Sequence, residues 1–197
     1  MTSPGPDAPA LPQPPKRADA RRNYEKLLAA AREAFADDGP DAKLDDIARR
    51  AGLGSGTLYR HFPTRQQLLE AVYIDEVEAM ARAADELAAR LPPWEALRDW
   101  LRDFVRFSAT KRALATEMLT QVDRDAAVFA ASRGTITRAG DALLGRAQEA
   151  GAVRPDARFL EVGRLIAAIG TATSEEDEVE RLLELVLDGL RYRPADG

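Results

Sequence analysis

The stretch that most constrains the fold is residues 44–62, LDDIARRAGLGSGTLYRHF. Its apolar residues recur at helical spacing on both sides of Gly52 and so predict two short helices. Gly52 follows the last apolar residue of the first repeat, where a helix end often takes a left-handed backbone that glycine adopts without strain. The pattern predicts a helix, a tight turn and a second helix. The alternative is an ordinary helical hairpin that belongs to a protein core.

The second of these helices carries side chains that suit contact with a nucleic acid. Ser55 is placed to cap it through its hydroxyl oxygen, while Leu58 and Phe62 form an apolar stripe. We therefore predict that this helix enters a groove of duplex DNA. The remaining positions carry groups able to reach phosphates or base edges, and they are Gly56, Thr57, Tyr59, Arg60 and His61.

Flanking residues complete a helical unit around this turn. A first helix is predicted from Arg22 to Asp38, and a Gly-Pro pair ends it. Pro63 ends the second helix of the motif. Thr64 and Gln67 form a capping-box pattern, which predicts a long fourth helix that runs to about Arg90.

Residues 22–73 resemble the DNA-binding domain of TetR/AcrR-type transcriptional regulators. The resemblance rests on the segments DDIARRAG and GTLYRHF, on the helix before them and on the capped helix after them. It implies a homodimer that binds a palindromic operator in double-stranded DNA. Lys43 departs from the family, which usually has Ser or Thr at this position, and its side chain cannot cap a helix through an oxygen.

The resemblance also implies which positions contact DNA. Phosphate contacts are expected from Lys43, Tyr59, His61 and the backbone amide of Thr64, while Gly56, Thr57 and Arg60 are expected near bases. The full set of predicted DNA-binding residues is Lys43, Ser55, Gly56, Thr57, Tyr59, Arg60, His61, Thr64 and Arg65.

Composition and periodicity divide the chain into three parts. Residues 1–20 hold six of its twelve prolines and almost no large apolar side chain, which predicts a disordered arm. The helix-turn-helix domain is placed at 21–66, and a helical domain for ligand binding and dimerisation at 67–197. Beyond Trp94 the spacing is helical throughout, with helices expected near 94–110, 111–121, 124–150, 155–171 and 174–192. The expected fold is all-α, about nine helices in total: a three-helix DNA-binding domain joined to a C-terminal bundle that resembles SbtR-like regulators.

The last two predicted helices each carry a broad apolar face. In TetR-like proteins this pair meets its symmetry mate in a four-helix interface, and the resemblance implies the same here. The alternative is a core within one chain. The residues predicted to form the dimer interface are Phe159, Ile166, Ile169, Val179, Leu183, Val186, Leu187 and Leu190.

The C-terminal half mixes aromatic, apolar and small polar residues in a way that suits a small-molecule pocket. The same mixture also fills ordinary helical cores. The resemblance favours a pocket for an unidentified, mainly apolar effector, coupled to DNA binding by the helix that begins at Thr64. The residues predicted to line it are Tyr73, Val77, Trp100, Phe104, Ser108, Met118 and Gln121.

Composition excludes several classes of function. The chain has no cysteine and a single histidine, His61, so we expect no disulfide, no metal site, no cofactor and no catalytic residues. The net charge is −5, yet Lys and Arg outnumber Asp and Glu over residues 1–65, where the motif lies. No stretch approaches the roughly 20 apolar residues that span a membrane, and no secretory signal is visible. We expect a cytoplasmic protein without a membrane partner.

Three functions remain to be weighed. The favoured one is a ligand-responsive, homodimeric repressor that a small molecule releases from DNA. The second is a DNA-binding dimer whose C-terminal half only dimerises or recruits a partner. The third, an all-helical enzyme, is disfavoured because the one histidine lies on the proposed DNA-reading helix and leaves no base for a nucleophile elsewhere.

Overall fold

A computed structural model describes residues 15–118, 125–173 and 175–191. Over these ranges the chain is all-α, as predicted, and its only β pairing is an isolated bridge between Val153 and Arg191. None of the helices in these ranges is long and apolar enough to cross a membrane. The helices are α1 (Ala18–Asp38), α2 (Leu44–Arg50), α3 (Ser55–His61), α4 (Arg65–Arg90), α5 (Pro93–Met118), α6 (Asp125–Glu149), α7 (Phe159–Ala172) and α8 (Glu176–Leu190), with a short 3-10 helix at Gly39–Asp41.

The described segments contain eight α-helices, whereas nine were predicted. The difference lies in α5, which runs unbroken through the two helices expected at 94–110 and 111–121. Its only breaker is Pro93 at the first helical position, where proline is tolerated because the missing N–H would have no partner. The residues around the predicted boundary are Ser, Ala, Thr and Lys at 108–111, and none of them costs a helix interior much.

The chain divides after Tyr73 into two compact units. In the first unit, α1 packs on α2 and on the 3-10 helix, and α2 packs on α3. The apolar stripes predicted from spacing are confirmed as its core. The buried side chains include Tyr24, Leu27, Leu28, Ala31, Phe35, Ile47, Leu58, Phe62, Leu68 and Leu69.

In the second unit α5 is the central helix, packed on α6 and α7, while α7 packs on α8. Trp100 is fully buried, and its indole N–H donates to the carbonyl oxygen of Met80 at 2.8 Å, which fixes α5 against the later turns of α4. Arg102 joins α5 to α8 through ion pairs with Glu180 and Glu184. Because these charges remain partly exposed, their net contribution to stability is small.

The end of α8 is fastened at several points. The backbone N–H of Arg154 donates to the carbonyl of Leu190 at 2.9 Å, and Val153 bridges to Arg191. The Arg191 guanidinium lies 4.7 Å from the centroid of the Trp94 ring, in cation–π geometry. We call this set of contacts the α8 clasp.

Candidate nucleic-acid interface

The turn between α2 and α3 has the geometry that its glycine predicts. Gly52 has φ = 69°, in the left-handed region. Its N–H donates to the carbonyl of Arg49 at 3.0 Å, and the N–H of Leu53 donates to the carbonyl of Ala48 at 2.9 Å. These two bonds form a Schellman motif, which satisfies carbonyls that the helix end would otherwise leave without a partner. The turn therefore fixes the direction in which α3 leaves α2.

The predicted cap of α3 is wrong by one residue. Ser55 is the first helical residue rather than the cap, and the cap position is Gly54, with an extended backbone and no side-chain bond. The carbonyl of Gly54 accepts hydrogen bonds from the N–H groups of Thr57 (2.8 Å) and Leu58 (3.3 Å), so the helix begins one residue earlier than the hydroxyl suggested. The Ser55 hydroxyl is consequently not used in a cap.

The two sides of α3 differ sharply in exposure. Leu58, and Phe62 just beyond the helix, are completely buried and anchor it to the first unit. Gly56, Tyr59 and Arg60 are exposed, and Tyr59 keeps 47% of its surface accessible although it is a large aromatic side chain. The half-buried positions are Ser55, Thr57 and His61. The structure thus leaves Gly56, Tyr59 and Arg60 accessible on α3, whereas the other predicted contact residues of this helix are partly covered.

His61 is tied to the aromatic core of the first unit. Its ring lies 6.0 Å from the Tyr24 ring in edge-to-face geometry and 6.2 Å from the Phe62 ring. Partial burial lowers the pKa of His61 below its usual value of 6.5, because a buried imidazole is disfavoured as a cation. At neutral pH the ring is uncharged and can offer a phosphate an N–H donor but no positive charge.

The start of α4 confirms half of the predicted capping box. The hydroxyl of Thr64 accepts a hydrogen bond from the backbone N–H of Gln67 at 3.2 Å. The reciprocal bond does not form, since the side-chain oxygen of Gln67 is buried without a hydrogen-bond partner. Lys43 precedes α2 in the cap position, provides no side-chain cap, as expected, and is exposed.

Arg65 and Arg50 hold the helices of this unit together, which sequence analysis did not foresee. The Arg65 guanidinium lies 5.2 Å from the centroid of Phe35 and donates to the carbonyl of Ala42. Arg50 pairs with Asp37 at 2.7 Å and so ties α2 to the end of α1. Of the predicted DNA-binding residues, Arg65 therefore has a second task within the fold. Spacing alone gives no sign of either pairing, because the partners come from another helix.

The predicted ligand-binding residues are only partly described. Tyr73, Val77, Trp100, Phe104 and Ser108 are all buried. Gln121 and the side chain of Met118 lie outside the described residues. Across the segments that the structure covers, no group of three carboxylate or imidazole side chains is placed to hold a metal ion.

The residues predicted to form the dimer interface are turned mainly into the protomer. Val179 and Val186 are half-buried, and the buried members are Phe159, Ile166, Ile169, Leu183, Leu187 and Leu190. The large apolar side chains that α7 and α8 expose are instead Leu160, Leu165 and Leu185, each more than half accessible. Leu165 and Leu185 line an open groove of about 430 Å³ together with Val162, Val186 and Leu190.

Comparison with known proteins shows that the sequence matches two descriptions of one family. The sequence matches the description "Bacterial regulatory proteins, tetR family" over residues 27–72. It matches "Transcriptional regulator SbtR-like, C-terminal domain" over residues 92–192. The two matches cover both compact units.

Solved structures agree with the sequence matches. A TetR transcriptional regulator from Streptomyces coelicolor is 41% identical, superposes with a TM-score of 0.78, and covers 87% of this chain and 99% of its own. A TetR transcription regulatory protein from Mycobacterium vanbaalenii is 35% identical with a TM-score of 0.76, covering 90% of this chain and 100% of its own. An HTH-type transcriptional regulator of Staphylococcus aureus is 32% identical over 99 residues, which is 49% of either chain, so this match spans about half of that relative.

Proposed function

This chain belongs to the TetR family of bacterial transcriptional regulators, which bind DNA, and we propose that it is a homodimeric repressor that a small molecule releases from a palindromic operator. The observation that carries the proposal is the accessible edge of α3, where Tyr59 remains 47% exposed on a helix whose opposite side is fully buried. A large aromatic side chain held in solvent by a rigid turn is suited to contact with a partner.

The DNA contact is proposed to use two kinds of group. Tyr59, His61 and Lys43 would bind phosphates and position α3, whereas Thr57 and Arg60 would lie near base edges. The neutral state of His61 makes its contact a simple hydrogen bond, so of the three proposed phosphate contacts only Lys43 would contribute to the salt dependence of binding.

The proposed dimer uses the outward surface of α7 and α8. A helix of seven residues reads few base pairs, and a two-fold dimer doubles the site that is read. Since Leu183 and Leu187 are committed to the protomer core, the contact would be made by Leu160, Leu165 and Leu185, with Val179 and Val186 beside them. Burial of these side chains between two copies would remove the largest exposed apolar groups of the second unit.

Sedimentation velocity tests this interface. Glu at both Leu165 and Leu185 should convert dimers into monomers at micromolar concentration, because two charges per copy would be buried without partners. The matched control is the same charge at exposed polar positions of the same helices, Arg164→Glu and Arg181→Glu. A dimer that survives the first pair and not the second would place the interface elsewhere.

Selection of fragments from random duplex DNA by the purified protein tests the function as a whole. A palindromic consensus is expected, with loss of retention when the effector is added. If no compound in a broad metabolite set alters retention, the C-terminal half serves dimerisation or partner recruitment alone. If no sequence is enriched at all, the DNA-binding assignment of α3 is wrong.

A further inference from the structure

Aromatic side chains in the second unit form one continuous stack. The Trp100 and Phe104 rings are nearly parallel, 5.5 Å apart at 6°, and Phe107 continues the stack 5.9 Å beyond Phe104 at 22°. Trp100, Phe104 and Ser108 are spaced four residues apart, so they follow one stripe of α5. Ser108 is also buried, and it follows Phe104 by one turn of the helix.

The Phe159 ring fits against this stack from the start of α7. Its centroid lies 5.5 Å from that of Trp100 and 6.0 Å from that of Phe104. On another side it lies directly on the backbone of α6, where a Cβ added to Gly140 would overlap the ring. A Cβ added to Gly163 would approach its Cζ atom to 3.3 Å. We call the space bounded by Trp100, Phe104, Gly140 and Gly163 the ring slot.

The walls of the ring slot define what it accepts. Two aromatic rings and two glycine backbones bound it, and none of the four residues carries a charge. The polar edge of Trp100 is already used, since its N–H donates to the Met80 carbonyl. A flat, uncharged ring therefore fits the slot, and a single hydrogen-bonding substituent would suit the neighbouring Ser108 hydroxyl.

The place of Phe159 at the start of α7 bears on whether its ring can move. It is the first residue of α7, and the cap residue before it, Arg158, has an extended backbone and makes no side-chain bond to the helix. The open groove of about 430 Å³ is lined by Ala157, Arg158 and Val162, which flank Phe159 along the chain. These three residues are not among those of the proposed dimer contact, so this end of the groove would leave space for a relocated ring beside the first turn of α7.

We propose that the Phe159 ring is the internal occupant of the effector site, and that a planar, uncharged aromatic effector binds by displacing it from the ring slot. The proposal rests on the proposed function, because it names the class of effector and the side chain that responds. Displacement moves the first turn of α7. If the effector binds only protein whose slot is open, its apparent dissociation constant equals the intrinsic one divided by the fraction of open protein. The apparent affinity is therefore lower when the Phe159 ring occupies the slot most of the time.

Calorimetric titration of the full-length protein with 2-naphthol tests the proposal, with decahydro-2-naphthol as the saturated, non-planar control. The wild type should bind 2-naphthol and discriminate against the saturated alcohol. Phe159→Ala should bind 2-naphthol about tenfold more tightly or better, because no ring has to be displaced. Adding Gly140→Ala to this variant should abolish the gain, since the new methyl group enters the slot.

Two further variants keep the test decisive. Leu97→Ala opens a cavity at a fully buried position of α5 without removing a ring, and its affinity for 2-naphthol should equal that of the wild type. If Phe159→Ala does not fold, Phe159→Leu should give a smaller gain in the same direction. Binding to Phe159→Ala but not to the wild type would make the slot an engineered cavity and overturn the proposal. Wild-type binding that Gly140→Ala leaves unchanged would overturn it as well.

Operator retention separates this proposal from the function on which it rests. If 2-naphthol binds in the way that the variants predict but DNA retention does not change, the result would support the ring slot and contradict a ligand-released repressor. Release of DNA by another compound, equally potent on the wild type and on Phe159→Ala, would support the repressor and contradict the ring slot.

Discussion

The two units of this chain display their aromatic side chains in opposite ways. In the first unit Tyr59 is held 47% exposed on α3, while in the second Trp100 is wholly buried between helices. A contact residue on a surface can be changed without loss of the fold, so its function is separable from stability. A residue that lines a buried site also forms the core, and there the two roles coincide. Variants of the buried residues consequently need controls that separate binding from stability, whereas the exposed residues of α3 can be changed with the fold kept.

The largest expected effect comes from Trp100→Ala. Removal of a fully buried indole leaves a cavity and should lower the free energy of unfolding by about 3–5 kcal/mol. Chemical denaturation followed by circular dichroism measures the change. Tyr59→Ala, the exposed counterpart, should stay within about 0.5 kcal/mol of wild type. Equal losses for the two variants would abolish the contrast between the units.

The next largest effect concerns the exposed side chains of α3 and is expected in DNA affinity. The double variant Tyr59→Ala/His61→Ala should weaken operator affinity on the order of 10-fold or more, since each lost contact costs about 1 kcal/mol. Fluorescence anisotropy with labelled operator measures it, with Arg106→Ala, an exposed arginine of α5, as the control. A folded double variant that binds as tightly as wild type would remove Tyr59 and His61 from the interface.

Gly52→Ala should have a smaller effect. An added Cβ meets no atom within 4 Å, so the cost is one of backbone conformation alone, about 1 kcal/mol at φ = 69°. Thermal unfolding should detect it, and Gly56→Ala on the exposed side of α3 is the comparison, because Gly56 has no positive φ. If both substitutions cost the same, the left-handed turn does not matter to stability.

The smallest effect is a dependence on pH. Because burial lowers the pKa of His61 in the folded chain, the unfolded chain binds its proton more readily. The contribution of His61 is therefore intact above pH 6.5 and is lost as pH falls below it. Urea unfolding at pH 7.5, 6.5 and 5.5 should show a steeper loss for wild type than for His61→Gln. Parallel curves would mean that His61 does not titrate differently on folding.

The sequence predicted best those features that depend on one residue and its immediate neighbours. Gly52 predicted the left-handed turn, and the spacing of Leu58 and Phe62 predicted the buried side of α3. The prediction that Ser55 caps α3 was wrong, because the glycine before it takes the cap position with an extended backbone. Local chemistry thus identified the buried side of α3 but misplaced the start of the helix by one residue.

Features that depend on residues far apart in the sequence could not be predicted from it. The pairing of Arg65 with Phe35 and of Arg50 with Asp37 joins helices whose relative placement no local pattern encodes. The apolar face of α8 that includes Leu183 was visible in the sequence, yet periodicity does not say whether this face packs within the protomer or against a second copy. The ring slot was equally hidden, because the role of Gly140 depends on the ring that lies against it.

The α8 clasp has a consequence for the order in which the two units fold during synthesis. Trp94 lies at the start of α5 and Arg191 just after α8, so their contact joins two positions that are far apart in the sequence. On a ribosome, N-terminal segments emerge and fold first. The first unit can complete its core as soon as residue 73 has left the exit tunnel, whereas the second must wait for its final helix. A nascent chain can thus have α3 packed in the first unit before Arg191 has been synthesised.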